Sequence, residues 1–484
     1  MNNNRPKWML ALAFASLSIS QAWAQDYQYS LDECINIAYE KNLTIQRSEL
    51  DLKVSEVTKN QSHLERLPDF NMGASYGVSW GRSIDPTTNN FTTQKNNSSN
   101  INGRSNLTVF NGMQIHNSIK QAEVNYAASE ADLEKAKNDV GMNVATLYLN
   151  VIFNQELLAN AEYQLNSTNQ QLDRTKKMVD AGALPVTNLL DLQAQSASNE
   201  VNVINAENSY NLAILNLKQS LLIPSGDPFE IEVPELELQP SETALMTPDE
   251  IYKTSEGVMP EIESAELRIV EAELNYKISK GAYSPTLSVS AGFKTIYSSV
   301  ANRPRDIYDG TVPDTVPIGY LPSTGEKVVS DVNVPNVVDT EDSFPVGEQF
   351  KENMEKNVGL NLTIPIFNKL RTRADVQRSM LSKYRAEVAS QEVRNQLRQN
   401  IETAYNDMVA ASKTHTANQK QVEALEEAFR VIENQFNLGA VNFVDYQVAN
   451  NNLYMAKSDL VRAKFDFIFK QKILDFYLGK PITL

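Results

Sequence analysis

Cysteine is all but absent: Cys34 is the only one in 484 residues, so no intrachain disulfide can form. It follows Asp32-Glu33 inside a helical pattern, which reads as a buried thiol and gives no lipidation context. Histidine is also scarce, and His63, His116 and His415 are scattered without metal-ligand spacing. The chain lacks a glycine loop followed by Lys-Ser/Thr and an HExxH helix, and the GxSxG string at Gly73 to Gly77 falls inside an alternating strand pattern, not on a strand-to-helix elbow. No catalytic residue, metal or cofactor is therefore expected. Positive charge is in deficit, with 44 Lys and Arg against 60 Asp and Glu, a formal net charge of −16. Such a chain is a poor partner for nucleic acid. Past the N-terminus no stretch reaches the roughly 18 apolar residues of a membrane-spanning helix.

What the N-terminus does contain is an export pattern. Arg5 and Lys7 precede an apolar run over 8–19, and Ala22-Trp23-Ala24 offers a small-residue cleavage site. A signal over 1–24 and a mature start at Gln25 are expected. Losing Arg5 and Lys7 takes the formal charge from −16 to −18.

The mature chain is an internal duplication. Phe110 matches Phe367, Tyr148 matches Tyr405 and Gly182-Ala183 matches Gly439-Ala440, each at an offset of 257 (367−110, 405−148, 439−182). Upstream, Glu33 matches Glu250, Leu50 matches Leu267 and Pro68 matches Pro285, at an offset of 217 (250−33, 267−50, 285−68). The second half carries 40 extra residues (257−217), assigned to the loop over 301–356. The expected divisions are N-terminal helices 25–67, a first β-hairpin 68–110, a long helix pair 111–222 and a linker 223–246. Helices 247–284, a second hairpin 285–367 and a second helix pair 368–484 follow. Each repeat opens on a capping box, Ser30 with Glu33 and Thr247 with Glu250.

In the first hairpin Phe70, Met72, Ala74, Tyr76, Val78 and Trp80 alternate with Asn71, Gly73, Ser75, Gly77 and Ser79. Leu287, Val289, Ala291 and Phe293 repeat the pattern, and Gly103 to Val109 and Val358 to Ile366 read as the returning strands. An apolar face opposite a small polar face suits a lipid-facing barrel strand, with Tyr76, Trp80, Phe110, Tyr297 and Phe367 as interface aromatics. A two-sided sheet in a soluble domain would alternate too. Two hairpins give four strands. Four cannot close a barrel, and open edges are not tolerated in lipid, so several chains must share one: eight strands for a dimer, twelve for a trimer.

The segment 111–181 holds no proline and predicts one very long helix. Val144, Val151, Leu158, Leu165, Leu172 and Val179 recur every seventh residue, and the copy reads Ile401, Met408, His415, Val422, Phe429, Phe436. Strict heptads predict coiled-coil packing, and a second stripe, Leu133-Val140-Leu147, suits a helix with a neighbour on each side. An isolated antiparallel coiled coil fits the heptads alone. The broader alternative is a periplasmic coiled-coil adaptor or structural protein.

The opening Ser30-Leu31-Asp32-Glu33-Cys34-Ile35-Asn36-Ile37-Ala38 resembles the TolC-type outer-membrane efflux factor family. So do the turns Val109-Phe110-Asn111-Gly112 and Pro365-Ile366-Phe367-Asn368, and the helix tips at Gly182 and Gly439. The resemblance implies a mainly α fold with a β membrane part. Duplicated long-helix hairpins would form a trimeric α-barrel tunnel through the periplasm, joined to a shared twelve-strand barrel in outer-membrane lipid. It implies an exit duct for efflux or type I secretion, with a periplasmic adaptor protein and an inner-membrane pump as partners. Adaptor contacts are expected at Gly182, Ala183, Leu184, Gly439, Ala440 and Val441, which are in any case turns. Asp445 matches an acidic position of the family's periplasmic constriction, and Asp191 and Asn188 occupy the related sites of the first repeat. Val448 stands where the family has a second acid, and Val441 where it has a basic latch. Asp445 on a solvated helix face is the plainer reading.

Overall fold

The computed structural model describes residues 28–84, 89, 91–93, 95–233, 246–301, 304–342 and 344–482. The expected export signal, the mature start at Gln25 and half of the linker 223–246 lie outside them. The elements are β1 (Gln28–Tyr29), α1 (Leu31–Lys41), α2 (Leu43–Leu64), β2 (Asn71–Ser79), β3 (Ser83–Ile84), β4 (Phe91–Thr92) and β5 (Asn96–Phe110). Next come α3 (Gln114–Asp180), α4 (Val186–Ser220), β6 (Glu230–Ile231), α5 (Pro248–Glu256) and α6 (Pro260–Gly281). The chain ends with β7 (Thr286–Ser298), β8 (Pro304–Tyr320), β9 (Lys327–Asp342), α7 (Val346–Glu352), β10 (Glu355–Thr363), α8 (Arg371–Asn437) and α9 (Phe443–Tyr477). The duplication is exact in length: α3 and α8 have 67 residues each, α4 and α9 have 35 each. A 67-residue helix is about 100 Å long at ~1.5 Å per residue.

The described residues form two compact units, one from 28–57, 123–233, 246–272 and 382–482, the other from within 58–122 and 273–381. In the first, two cores repeat each other. Leu31, Cys34 and Ala38 of α1 pack on Val144, Tyr148 and Val151 of α3 and Leu217 of α4. In the second core Ile251 of α5 packs with Ile401 and Met408 of α8 and Leu474 of α9. Cys34 matches Ile251, Val144 matches Ile401, Val151 matches Met408 and Leu217 matches Leu474 under the two offsets. Burial pushes the Cys34 thiol up to about 12, so it is protonated and inert. Both capping boxes form, with Ser30 N bonded to Glu33 at 2.9 Å and Thr247 N to Glu250 at 2.8 Å. The Tyr148 hydroxyl donates to the carbonyls of Tyr29 and Glu232, tying the parallel pair β1 and β6 to α3.

The second unit holds one antiparallel sheet in the order β10-β7-β5-β2. β5 starts at Asn96 rather than Gly103, because it pairs on both sides and needs no apolar alternation to be held. The 301–356 loop is built: β8 and β9 form a separate ribbon, and α7 packs on the end of β7. There the Gln349 amide accepts from Ser298 N at 2.9 Å and donates to Ser298 O at 3.0 Å, standing in for a strand backbone. Tyr297 packs on Phe350 of α7 (6.3 Å between centroids) and is not a free interface aromatic.

Candidate functional site

The sheet register sorts the side chains by chemistry. Met72 pairs Gly103, Gly103 pairs Phe293, and Phe293 pairs Lys356. Ala74, Ile101, Thr295 and, one rung on, Ala291 with Val358 share that face. Phe70, Met72, Tyr76 and Trp80 at one edge and Val358, Leu360, Leu362, Ile364 and Ile366 at the other are exposed, Ile366 at 93%. The other face is polar. Asn71, Gly73 and Ser75 of β2 oppose Arg104, Asn102 and Asn100 of β5. Lys294 bridges Glu355 at 3.0 Å, and Asn361 donates to Ser290 at 3.2 Å. Among the described residues β2 and β10 each keep one unpaired edge. The two hairpins also share one register: Met72 opposite Gly103 becomes Val289 opposite Leu360 when 217 and 257 are added.

Each sheet edge passes into a long helix through two successive left-handed residues. They are Gly112 (φ 67°) with Met113 (φ 65°), and Lys369 (φ 57°) with Leu370 (φ 60°), again 257 apart. Asn111 accepts from Ile115 N at 3.3 Å, and Asn368 bonds Thr372 at 2.6 Å, closing each first turn.

In the first unit α3 has a neighbour on each side. Towards α4 the contacts are polar: Asn199 donates to Thr168 at 2.8 Å and Ser196 to Asn169 at 2.6 Å. Towards α9, Asn160 donates to Ser458 at 2.9 Å and Phe153 meets Phe465. Here the heptad expectation needs correction. Val144 and Val151 are buried, but Leu158, Leu165, Leu172 and Val179 are only half-buried. The buried positions beyond Ile152 are Ala161, Gln164, Thr168, Gln171 and Thr175, because that seam faces the polar side of α4. Leu172 instead packs with Phe436, Phe443 and Tyr446 of the second hairpin.

Both tips are Schellman turns. Ala183 N donates to Met178 O and Gly182 N to Val179 O; Ala440 N donates to Gln435 O and Gly439 N to Phe436 O. Gly182 and Gly439 both have φ 73°, which favours glycine. Ala183 and Ala440 are exposed, and Leu184 and Val441 half-buried. The second tip is braced by rings, with Phe436 stacked on Tyr446 at 4.9 Å. Burial, reinforced by Glu433, pushes the Tyr446 hydroxyl up to about 12. Asp445 lies in the first turn of α9, its N–H donating to the Asn442 side chain at 2.9 Å. Asn188 N donates to Pro185 O at 3.2 Å in the matching turn of α4. Asp191 and Asp445 are exposed beside one buried cluster, Leu192 with Phe443 and Tyr446. Leu438, 84% exposed, was not anticipated; its signal is a large apolar side chain directly before the tip glycine.

The sequence profile described as "Outer membrane efflux protein" matches residues 34–221 and 253–480, one stretch on each repeat. The chain belongs to the outer membrane efflux protein family. Outer membrane protein TolC of Escherichia coli (strain K12) is 21% identical over 96% of this chain and 84% of that protein. Outer membrane efflux protein BepC of Brucella suis biovar 1 is 20% identical over 89% and 81%. The outer membrane protein VceC of Vibrio cholerae has the same fold, with a TM-score of 0.71 at 15% identity over 93% of this chain and 96% of that one. The MtrE outer membrane channel of Neisseria gonorrhoeae gives 0.68 at 18% identity over 94% and 89%. The fold is thus the mainly helical one of TolC-type channels, and family membership makes this chain an efflux exit channel of the outer membrane rather than an adaptor. Among the described residues no helix is long and apolar enough to cross a membrane.

Proposed function

We propose that three copies of this chain pool their sheets into one twelve-strand barrel in the outer membrane and their helices into a twelve-helix tunnel through the periplasm. The carrying observation is the sheet itself, with one exposed apolar face, one polar face and two unpaired edges. Unpaired backbone in lipid costs several kcal/mol per group, so the edges must meet other edges. The repeat says how. Adding 257 along β5 and subtracting 217 along β7 turns the internal pair Ser105 with Ala291 into Leu362 of one copy with Ala74 of the next. The helices follow the same rule. The contact of α3 with α9 inside the chain becomes α8 of one copy against α4 of its neighbour, and Val186, Leu190, Val201, Ile204 and Leu212 are the exposed apolar side chains on α4. Likewise α6 packs on α3 through Arg268 and Asp132 at 3.0 Å, and the matching α2 shows an uncovered stripe, Leu43, Leu50, Val57 and Leu64, for the neighbour's α8.

The tunnel wall is organised in the repeat divisions expected above, with the polar sheet face lining the bore. The tips at Gly182 to Leu184 and Gly439 to Val441, with Leu438, form the rim that docks a periplasmic adaptor and, through it, an inner-membrane pump of an efflux or type I secretion system. Asp445 and Asp191 line the periplasmic mouth. Asp445 is the repeat partner of Asn188, and Val448 that of Asp191. Each repeat therefore brings one acid, on levels about 4.5 Å apart at ~1.5 Å per residue. Three copies would give six carboxylates and a mouth that draws cations. The chain itself performs no chemistry; it is a passive conduit. Detergent-purified protein added to planar bilayers tests this reading. Stepwise conductance from a trimeric species supports it, whereas a stable monomer that needs no detergent and leaves bilayers sealed contradicts it.

A further inference from the structure

At the base of the sheet, where the apolar band gives way to α3, lies a groove of about 580 Å³. Leu107, Val109, Phe110 and Met113 form its apolar wall, and Arg66 and His116 stand over it. Val109 and Met113 are each 56% exposed and share this groove with Phe110, 43% exposed, so they form one apolar patch and not scattered side chains. Leu107 lies on the apolar face of the sheet opposite Val289, and the irregularity between Thr108 and Phe110 leaves Val109 unpaired beside it, so the same medium that covers the strands reaches the groove. The change from strand to polar helix at Asn111-Gly112 fixes the level of the groove at the edge of that medium. Arg66 makes no ion pair among the described residues, although the chain carries an excess of carboxylates. The bias recurs in the second repeat, where Lys369 lies in the matching turn, Arg371 and Arg373 follow it, and all three are exposed.

We propose that this groove binds an anionic phospholipid of the periplasmic leaflet, one per chain. The guanidinium of Arg66 and a ring N–H of His116 would hold the phosphate, and acyl chains would lie along Val109, Phe110 and Met113. Charge complementarity selects the headgroup: a guanidinium pairs a phosphate through two parallel N–H donors, which an ammonium-bearing zwitterion partly neutralises. The volume falls within the range of ordinary ligand sites. The lipid would seat each subunit at a fixed depth where strand becomes helix. This inference rests on the membrane barrel reading above.

Native mass spectrometry of the detergent-solubilised protein tests it. Samples are titrated with phosphatidylglycerol, with phosphatidylcholine of the same chains, and with inorganic phosphate. Phosphatidylglycerol should saturate at one per chain and bind ahead of phosphatidylcholine, with inorganic phosphate far weaker. Arg66→Gln with His116→Gln should weaken phosphatidylglycerol binding about tenfold, as loss of a charge-assisted contact implies, while Arg66→Lys retains part of it. The assembly mass in the same spectra reports folding of each variant. Equal binding of both lipids, or an unchanged affinity in the double variant, overturns the proposal. Inorganic phosphate binding as tightly as the lipid overturns it too, by leaving an anion site with no acyl seat. A monomeric mass would count against the shared barrel, whereas the lipid count per chain would still be read.

Discussion

Gly112 and Gly281 press against each other: a Cβ on Gly281 would lie 2.5 Å from the Gly112 carbonyl oxygen, and one on Gly112 would collide with Gly281 O and with Ser284 Cβ at 2.6 Å. The contact locks the strand-to-helix turn of the first repeat onto the end of α6 in the second. Gly281→Ala tests it without disturbing the left-handed backbone at Gly112. Overpacking of this kind costs about 1–3 kcal/mol. A lower melting temperature of the solubilised protein is expected, and an unchanged one would show that the turn yields freely.

Thr175 is fully buried in the polar seam between α3 and α4, and among the described residues its hydroxyl has no hydrogen-bond partner. Thr175→Val keeps the shape and removes the desolvated group. A gain of about 1 kcal/mol is expected, read as slower amide hydrogen exchange near the tip of α3. Faster exchange would mean that the hydroxyl is satisfied in the assembled protein.

His415 interrupts the apolar heptads of α8 and stacks on Phe467, 6.4 Å between centroids. Partial burial, and then Lys464, hold its pKa below the ordinary 6.5. The folded chain therefore binds fewer protons here than the unfolded chain does, so stability rises with pH up to about 6.5 and falls as the medium is acidified below that value. His415→Phe should flatten this acid loss in melting curves taken on either side of the window. Parallel pH profiles for variant and wild type would remove His415 from the account.

Asp445→Ala should move the single-channel reversal potential towards anions, with a several-fold fall in cation over anion permeability. Asp191→Ala should act in the same direction and the pair should exceed either. Wild-type selectivity in all three would make these acids plain helix-face residues.

Much of this was legible in the sequence because the same physics is written twice. Two offsets read from the sequence relate the matching cores, the equal helices and the shared hairpin register that the structure shows. Gly182 and Gly439 marked both Schellman turns because left-handed backbone has few tolerant residues. Other parts were hidden for identifiable reasons. The segment Asn96 to Asn102 reads as a polar loop, yet two flanking strands hold it as β5. In the 301–356 loop β8 and β9 are held by their own pairing, and α7 by Gln349 and Asn353, whose side-chain amides bond strand backbone 51 and 57 residues away. The heptads of α3 pointed to the wrong seam, since Gln164, Thr168, Gln171 and Thr175 look solvated until α4 is laid over them. Leu438 adjoins its glycine outside any heptad, so periodicity passed over it.

The central claim is that β2 of one copy pairs with β10 of the next in the register that β5 and β7 already use. Cysteines at Ala74 and Leu362 test it directly; the native thiol, Cys34, is buried and unreactive. Oxidised outer membranes from cells carrying A74C with L362C should yield dimers and trimers on non-reducing gels and nothing larger. S75C with L362C places the two sulfurs on opposite faces and should leave monomers. No cross-link in the first pair, or equal cross-linking in both, would contradict the shared barrel.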